Sequence, residues 1–170
     1  MLLFKPFVTS HRQNGMTLIQ LMIALAIAGI VTAMATPSIR NWMPRYQLRV
    51  GIRAFASELS LTKMRSVTTN QPYGVIFEEM DFFIGQATGY TVFQDVGDTP
   101  GQLDDNDVIE REDIKLPKGV YCWINVFDNQ TITFDPMGVS NGGWLVIRNS
   151  QGKYMFIDVY GTTGRIKIYR

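Results

Sequence analysis

From Met16 to Ile39 the chain carries no charged residue, and the run MTLIQLMIALAIAGIVTAMA reaches the roughly 20 residues that a helix needs to cross a hydrocarbon core about 30 Å thick. This pattern predicts a membrane span at 16–39. A secretory signal peptide has a shorter apolar core of about 7–15 residues ended by a small-residue cleavage site, so any cleavage is expected ahead of the run. Pro37 and Pro44 lack an amide hydrogen and predict bends in the helix, not its end. Beyond Pro44, Leu48, Ile52, Phe55 and Leu59 recur at four, three and four residues, which stacks them on one helix face. Arg45, Arg49 and Arg53 repeat on another. A helix is therefore predicted from Met16 to about Thr69, roughly 80 Å at 1.5 Å per residue. Its part at 40–69 is amphipathic and needs cover.

The remainder, 70–170, reads as strands: Tyr73 to Glu78, Tyr90 to Asp95, Val120 to Val126, Thr131 to Asp135, Trp144 to Arg148, Lys153 to Tyr160 and Arg165 to Tyr169. Several alternate apolar and polar residues, and all are bounded by Gly, Pro, Asn or Asp, which predicts antiparallel sheet. Asn149–Gly152 and Gly161–Gly164 read as hairpin connections, so the last three strands are expected to form a meander. The fold class is α+β, a long N-terminal helix packed against antiparallel sheet.

A chain of 170 residues can bury a real core, and its composition is that of a globular protein. No Asp or Glu precedes Glu58, however, so the two ends of the chain face different surroundings. The single cysteine, Cys122, excludes an intramolecular disulfide and reads as a small strand residue rather than a nucleophile. The lone histidine, His11, lies ahead of the apolar run. The body of the chain thus has no histidine for a catalytic triad or a His-rich metal site.

At the start of the span, Gly15-Met16-Thr17-Leu18-Ile19-Gln20-Leu21-Met22 strongly resembles the type IV prepilin signature. The resemblance implies a leader at 1–15 that carries Lys5 and Arg12, cleavage after Gly15 by a prepilin peptidase, and N-methylation of Met16. Glycine before the cut leaves room for close approach to the backbone. Pro37 falls where pilins commonly bend. The stretches FDPMGVSNGG (Phe134 to Gly143) and GTTGRIKIYR (Gly161 to Arg170) are similar to the C-terminal pattern of the GspH/FimT group of pseudopilins and minor pilins. That similarity implies a pilin-like fold and a minor subunit, and the missing cysteine pair sets the chain apart from many major pilins. The partners implied are other major and minor pilin or pseudopilin subunits, the peptidase and the bacterial inner membrane, with the domain at 70–170 periplasmic and later on a filament.

Two features depart from the pattern. The family usually has glutamate at the fifth mature position, where this chain has Gln20; with Pro37, this is the candidate assembly residue. A glutamine brings no charge to neutralise the amine of a preceding subunit, which suggests a place at the filament tip in a priming complex. Simple tolerance of glutamine in a low-copy subunit is the equal alternative. Second, Arg40, Arg45, Arg49 and Arg53 follow the span while only Lys5 and Arg12 precede it, so the positive-inside rule alone places the β domain in the cytoplasm. The leader motif is given precedence.

Asp95, Asp98, Asp104, Asp105 and Asp107 could offer oxygens to calcium but lack EF-hand spacing, and a solvated loop is the preferred reading. Glu78, Glu79 and Asp81 read as an exposed turn rather than an acid/base pair. Arg165, Lys167 and Arg170 are read as three cations on one face of a strand. They are either candidate DNA contacts, as in FimT-like pilins of DNA uptake, or protection of an edge strand, and the latter is preferred. The arginines at 45, 49 and 53 are expected to face neighbouring subunits or lipid headgroups. No cofactor, metal or enzymatic activity is expected. The alternatives to a structural subunit are a DNA-binding minor pilin and, behind it, a membrane-anchored enzyme.

Overall fold

The computed structural model describes residues 17–77 and 84–170. Gly15, Met16 and the carboxylates of Glu78, Glu79 and Asp81 lie outside the described residues. Helix α1 spans Leu18–Thr69, so neither Pro37 nor Pro44 ends it. Its end has a local cause. Asn70 adopts a left-handed φ of 55°, the Gln71 N–H donates back to the Ser66 carbonyl at 3.2 Å, and Pro72 follows. This is the Schellman arrangement, which satisfies a terminal carbonyl and blocks further turns.

The chain divides into two units, one ending at Ile39 and one running from Arg40 to Arg170. Within the second, the described strands are β1 (Tyr73–Phe77), β2 (Ile84–Ala87), β3 (Gly89–Gln94), β4 (Val108–Lys115), β5 (Val120–Asn125), β6 (Thr131–Phe134), β7 (Gly143–Asn149), β8 (Tyr154–Tyr160) and β9 (Arg165–Tyr169). They form two antiparallel sheets, ordered β4-β3-β1-β6 and β2-β5-β7-β8-β9. The predicted meander is the β7-β8-β9 run. Its two hairpins close on Gly152 (φ 78°) and Gly164 (φ 55°), positions that favour a residue without Cβ.

One core joins both sheets to the helix. Leu48, Ile52, Phe55 and Leu59 are buried among Val75 and Phe77 of β1, Tyr90 and Val92 of β3, Leu145 and Ile147 of β7, and Ile157 of β8. Phe55 is its centre, 5.0 Å from the Phe77 ring and 4.8 Å from Tyr90 in an edge-on contact. Thr62 and Ser66 carry the buried stripe on toward the helix end, with Thr62 Oγ1 bonded to the Glu58 carbonyl.

Strand β4 was not anticipated, and its sequence VIEREDIK explains why: it is a charged, exposed edge strand with little apolar alternation. Ion pairs hold it to the helix instead. Glu58, itself buried, receives two bonds from Arg111 Nη1 at 2.8 and 2.7 Å, and Arg65 meets Glu110 at 2.6 Å. The Tyr73 hydroxyl also donates to Glu110 at 3.0 Å. Two register shifts against β3 and a positive φ at Asp113 mark it as bulged.

Candidate functional site

The helix opens with a capping box. The Thr17 N–H donates to Gln20 Oε1 at 3.0 Å, and the Gln20 N–H donates to Thr17 Oγ1 at 3.4 Å, so each side chain satisfies a backbone donor that the helix cannot. Gln20, singled out in the sequence for what it lacks, thus has a positive role in starting the helix. The Thr-x-x-Gln spacing that produces it was readable in the sequence. From there on the apolar residues find no cover. Every large apolar side chain from Leu18 to Val31 is at least 50 % exposed. Among the described residues no helix is long and apolar enough to cross a membrane, the described side chains of this segment ending at Thr32. So extensive an apolar surface requires a non-aqueous or protein neighbour.

In the second unit the two C-terminal segments similar to the GspH/FimT pattern lie against each other. Asp135 Oδ1 accepts from the Met137 and Val139 N–H groups at 2.9 and 2.8 Å, folding the first segment into a turn. The Ser140 N–H then donates to the Gly161 carbonyl at 2.9 Å, and Asn141 Nδ2 donates to the Thr131 carbonyl at 2.8 Å. Gly164 sits so close to the Gly138 carbonyl that a Cβ there would collide with it. Lys63 of the helix completes the clasp, its Nζ donating to the Thr163 carbonyl at 2.6 Å and the Gly164 carbonyl at 3.4 Å. Lys63 was missed in the sequence because nothing local marks a lysine whose partner is a carbonyl 100 residues away.

The cations Arg165, Lys167 and Arg170 do not form a single row. Arg165 and Lys167 occupy one face of β9, opposite Tyr160 and Asp158 of β8. That face is aromatic: Phe156 contacts Trp144 at 6.2 Å and Tyr154 at 5.4 Å, and the Tyr160 and Tyr169 hydroxyls are bonded at 3.1 Å. Lys167 Nζ lies 3.4 Å from the Tyr160 hydroxyl and 5.1 Å from its ring centroid. The bond to Tyr160 raises the lysine's pKa and so favours its charged form. Trp144, Phe156, Asp158 and Tyr169 line a hollow of about 320 Å³ on this face. Arg170, three residues on from Lys167, has the opposite parity and follows Ile166 and Ile168 to the helix side. There it lines a hollow with Arg45, Leu48, Arg49, Lys153 and Met155. The expectation of three cations on one face is corrected by this alternation.

In the Asp95–Asp107 loop the carboxylates are taken up by the loop's own backbone. Asp107 Oδ1 accepts from Val96 and Gly97, Asp104 Oδ2 from Asp98 and Thr99, and Asp95 Oδ2 from Gly101, at 2.8 to 3.2 Å. Hydrogen bonds led by the one from the Asn106 N–H lower the Asp104 pKa, while burial raises that of Asp95. Among the described residues no group of three or more His, Cys, Asp or Glu side chains is placed to hold a metal ion. Cys122 is buried, its Sγ 3.7 Å from the Ile124 carbonyl, and burial pushes its thiol pKa up, away from the thiolate that nucleophilic chemistry requires.

Comparisons with known proteins agree with this architecture. Residues 51–163 match the family described as type II transport protein GspH, and residues 10–36 match the prokaryotic N-terminal methylation motif. No curated protein gives a sequence match. Among solved structures, the fold is similar to that of the minor pseudopilin EpsH from the type 2 secretion system of Vibrio cholerae. The TM-score is 0.51 at 15 % identity, over 72 % of this chain and 95 % of that one. It is also similar to the type IV minor pilin FimU of Pseudomonas aeruginosa strain PAO1, with a TM-score of 0.52 at 13 % identity, over 76 % and 92 %. A methylation motif ahead of a GspH domain, on a helix packed under antiparallel sheets, leads to one conclusion: the chain belongs to the GspH family of pilin and pseudopilin subunits.

Proposed function

We propose that this chain is a minor structural subunit of a type IV pilus or a secretion pseudopilus. It is made as an inner-membrane precursor with a leader at 1–15 and a span at 16–39, its amphipathic helix at 40–69 and β domain at 70–170 lying in the periplasm. Prepilin peptidase cleaves after Gly15, and Met16 is N-methylated. Assembly then exchanges lipid around the apolar helix for the helices of other subunits. The observation that carries this reading is the methylation motif at 10–36 overlapping the start of a helix whose large apolar side chains from Leu18 to Val31 are all at least half exposed. Gln20, which brings no carboxylate to a predecessor's amine, supports a place in the priming complex at the tip, where no predecessor exists.

The test is processing. Gly15→Val crowds the scissile bond, so the variant is expected to keep its leader, stay in the membrane fraction and be absent from sheared filaments. Mass spectrometry that finds an intact leader on assembled subunits would refute the reading.

A second reading, capture of single-stranded DNA, is favoured by the aromatic and cationic face of β7, β8 and β9. Exposed rings beside Arg165 and Lys167 offer stacking and phosphate contacts together. A gel shift with a single-stranded oligonucleotide that weakens at least about fivefold in Arg165→Ala/Lys167→Ala would support it. No shift with the wild type excludes it.

A further inference from the structure

Arg45, Arg49 and Arg53 of α1 do not stand alone. Lys153 just before β8 and Arg170 after β9 reach the same edge of the domain: Arg45, Arg49, Lys153 and Arg170 line one hollow of about 330 Å³, and Arg49, Arg53 and Arg170 line a second beside it. The register makes this a product of the fold. Phe156 pairs with Tyr169, so the next step along β9 sets Arg170 beside Met155, on the sheet face turned toward the helix. All five cations are exposed, and none has an ion pair to a carboxylate among the described residues. The first carboxylate in the chain, Glu58, is turned the other way and occupied by Arg111.

Beside this cluster Trp42 and Tyr46 stack with ring centroids 5.0 Å apart while remaining 60 % and 49 % exposed. An exposed aromatic pair within a turn of two arginines, immediately after an uncharged apolar run in the chain, has the composition of a membrane interface. Guanidinium groups pair with phosphate in two-pronged fashion, and each basic residue near an anionic surface contributes about a fivefold gain in affinity.

We propose that Arg45, Arg49, Arg53, Lys153 and Arg170 form a binding surface for the phosphate headgroups of anionic phospholipid, with Trp42 and Tyr46 seated at the headgroup level beside it. This rests on the membrane-anchored reading above. It also gives the arginines that follow the span a use on the far side of the bilayer, since they belong to a folded surface and not to an unstructured loop. The domain would rest against the leaflet before assembly and leave it when the subunit is lifted away.

Lipid selectivity of the full chain tests it. Protein in mild detergent is equilibrated with an equimolar mixture of phosphatidylcholine and phosphatidylglycerol, and the lipid retained after gel filtration is measured by mass spectrometry. The wild type is expected to retain phosphatidylglycerol by about tenfold or more, less at high salt. Arg45→Gln/Arg170→Gln should lower the ratio at least about fivefold, the factor one headgroup-bound cation supplies. Arg45→Lys/Arg170→Lys should keep the preference, and a wild-type melting curve separates lost binding from lost fold. If the double variant unfolds, Arg170→Gln alone, beyond the last strand, is read in its place.

Equal retention of both lipids by the wild type overturns the proposal. So does an equal loss in Arg165→Gln/Lys167→Gln, which would make net charge and not this surface responsible. Release of the lipid by millimolar inorganic phosphate would assign the surface to a soluble anion. Unselective retention together with failed filament assembly in the variants would assign it to an acidic neighbouring subunit. The span is judged separately, by whether the full chain resists alkaline extraction from membranes.

Discussion

Gly164 shows how a single position ties distant parts of this chain together. Its φ of 55° and its closeness to the Gly138 carbonyl leave no room for a side chain, and Lys63 passes over both. Gly164→Ala is expected to destabilise the domain by about 1–3 kcal/mol, the range for a strained backbone position. Gly152→Ala, at a positive φ but meeting only the guanidinium of Arg148 at 3.2 Å and no backbone, should cost less. Urea unfolding of residues 40–170 measures both; equal losses would show that φ alone matters and that the clasp does not. At this scale the sequence was unevenly legible. The turn residues announced both hairpins. Arg170 shares its charge with Arg165 and Lys167, but strand parity sets it on the opposite face. The Lys63 bridge has no local signature at all.

The amphipathic part of α1 is the element most plainly written in the sequence, since apolar residues four, three and four apart can only be buried from one side. Phe55 is fully buried between Phe77 and Tyr90, and Phe55→Ala is expected to cost about 3–5 kcal/mol. A loss under about 1 kcal/mol on chemical denaturation would mean that the stripe does not organise the core. Seven strands were marked by alternation and turn residues. The other two escaped for physical reasons. Strand β2 is four residues with a glycine among them, too short for a period to show. Strand β4 is recruited by Arg111 and Glu110 through ion pairs with helix residues more than 40 positions earlier, and charge pairing between distant segments leaves no periodic trace.

For the whole molecule, the family match and the two sets of interaction surfaces bear on where the subunit sits. A subunit that starts a filament needs its apolar helix to pack with others but no carboxylate for a predecessor. The chain has that helix, and it has Gln20 at the fifth position of the proposed mature chain. Gold labelling of sheared filaments is expected to mark one end. Regular label along the shaft would exclude the tip position, and label at one end that is unchanged by Gln20→Glu would keep the location while removing Gln20 as its cause.

The charged edge strand β4 also bears on how such filaments come apart. Five of its eight residues are charged, and it closes one border of the first sheet. Such a border does not accept another strand, because addition would bring its charges against those of the newcomer and strip their hydration. At this border a neighbouring β domain is therefore kept from adding its own strand and extending the sheet, the step by which amyloid grows. In the filament proposed above, cohesion along this border would fall to the helices, which lipid can solvate again. A fibre held this way would be able to return its subunits to the bilayer intact.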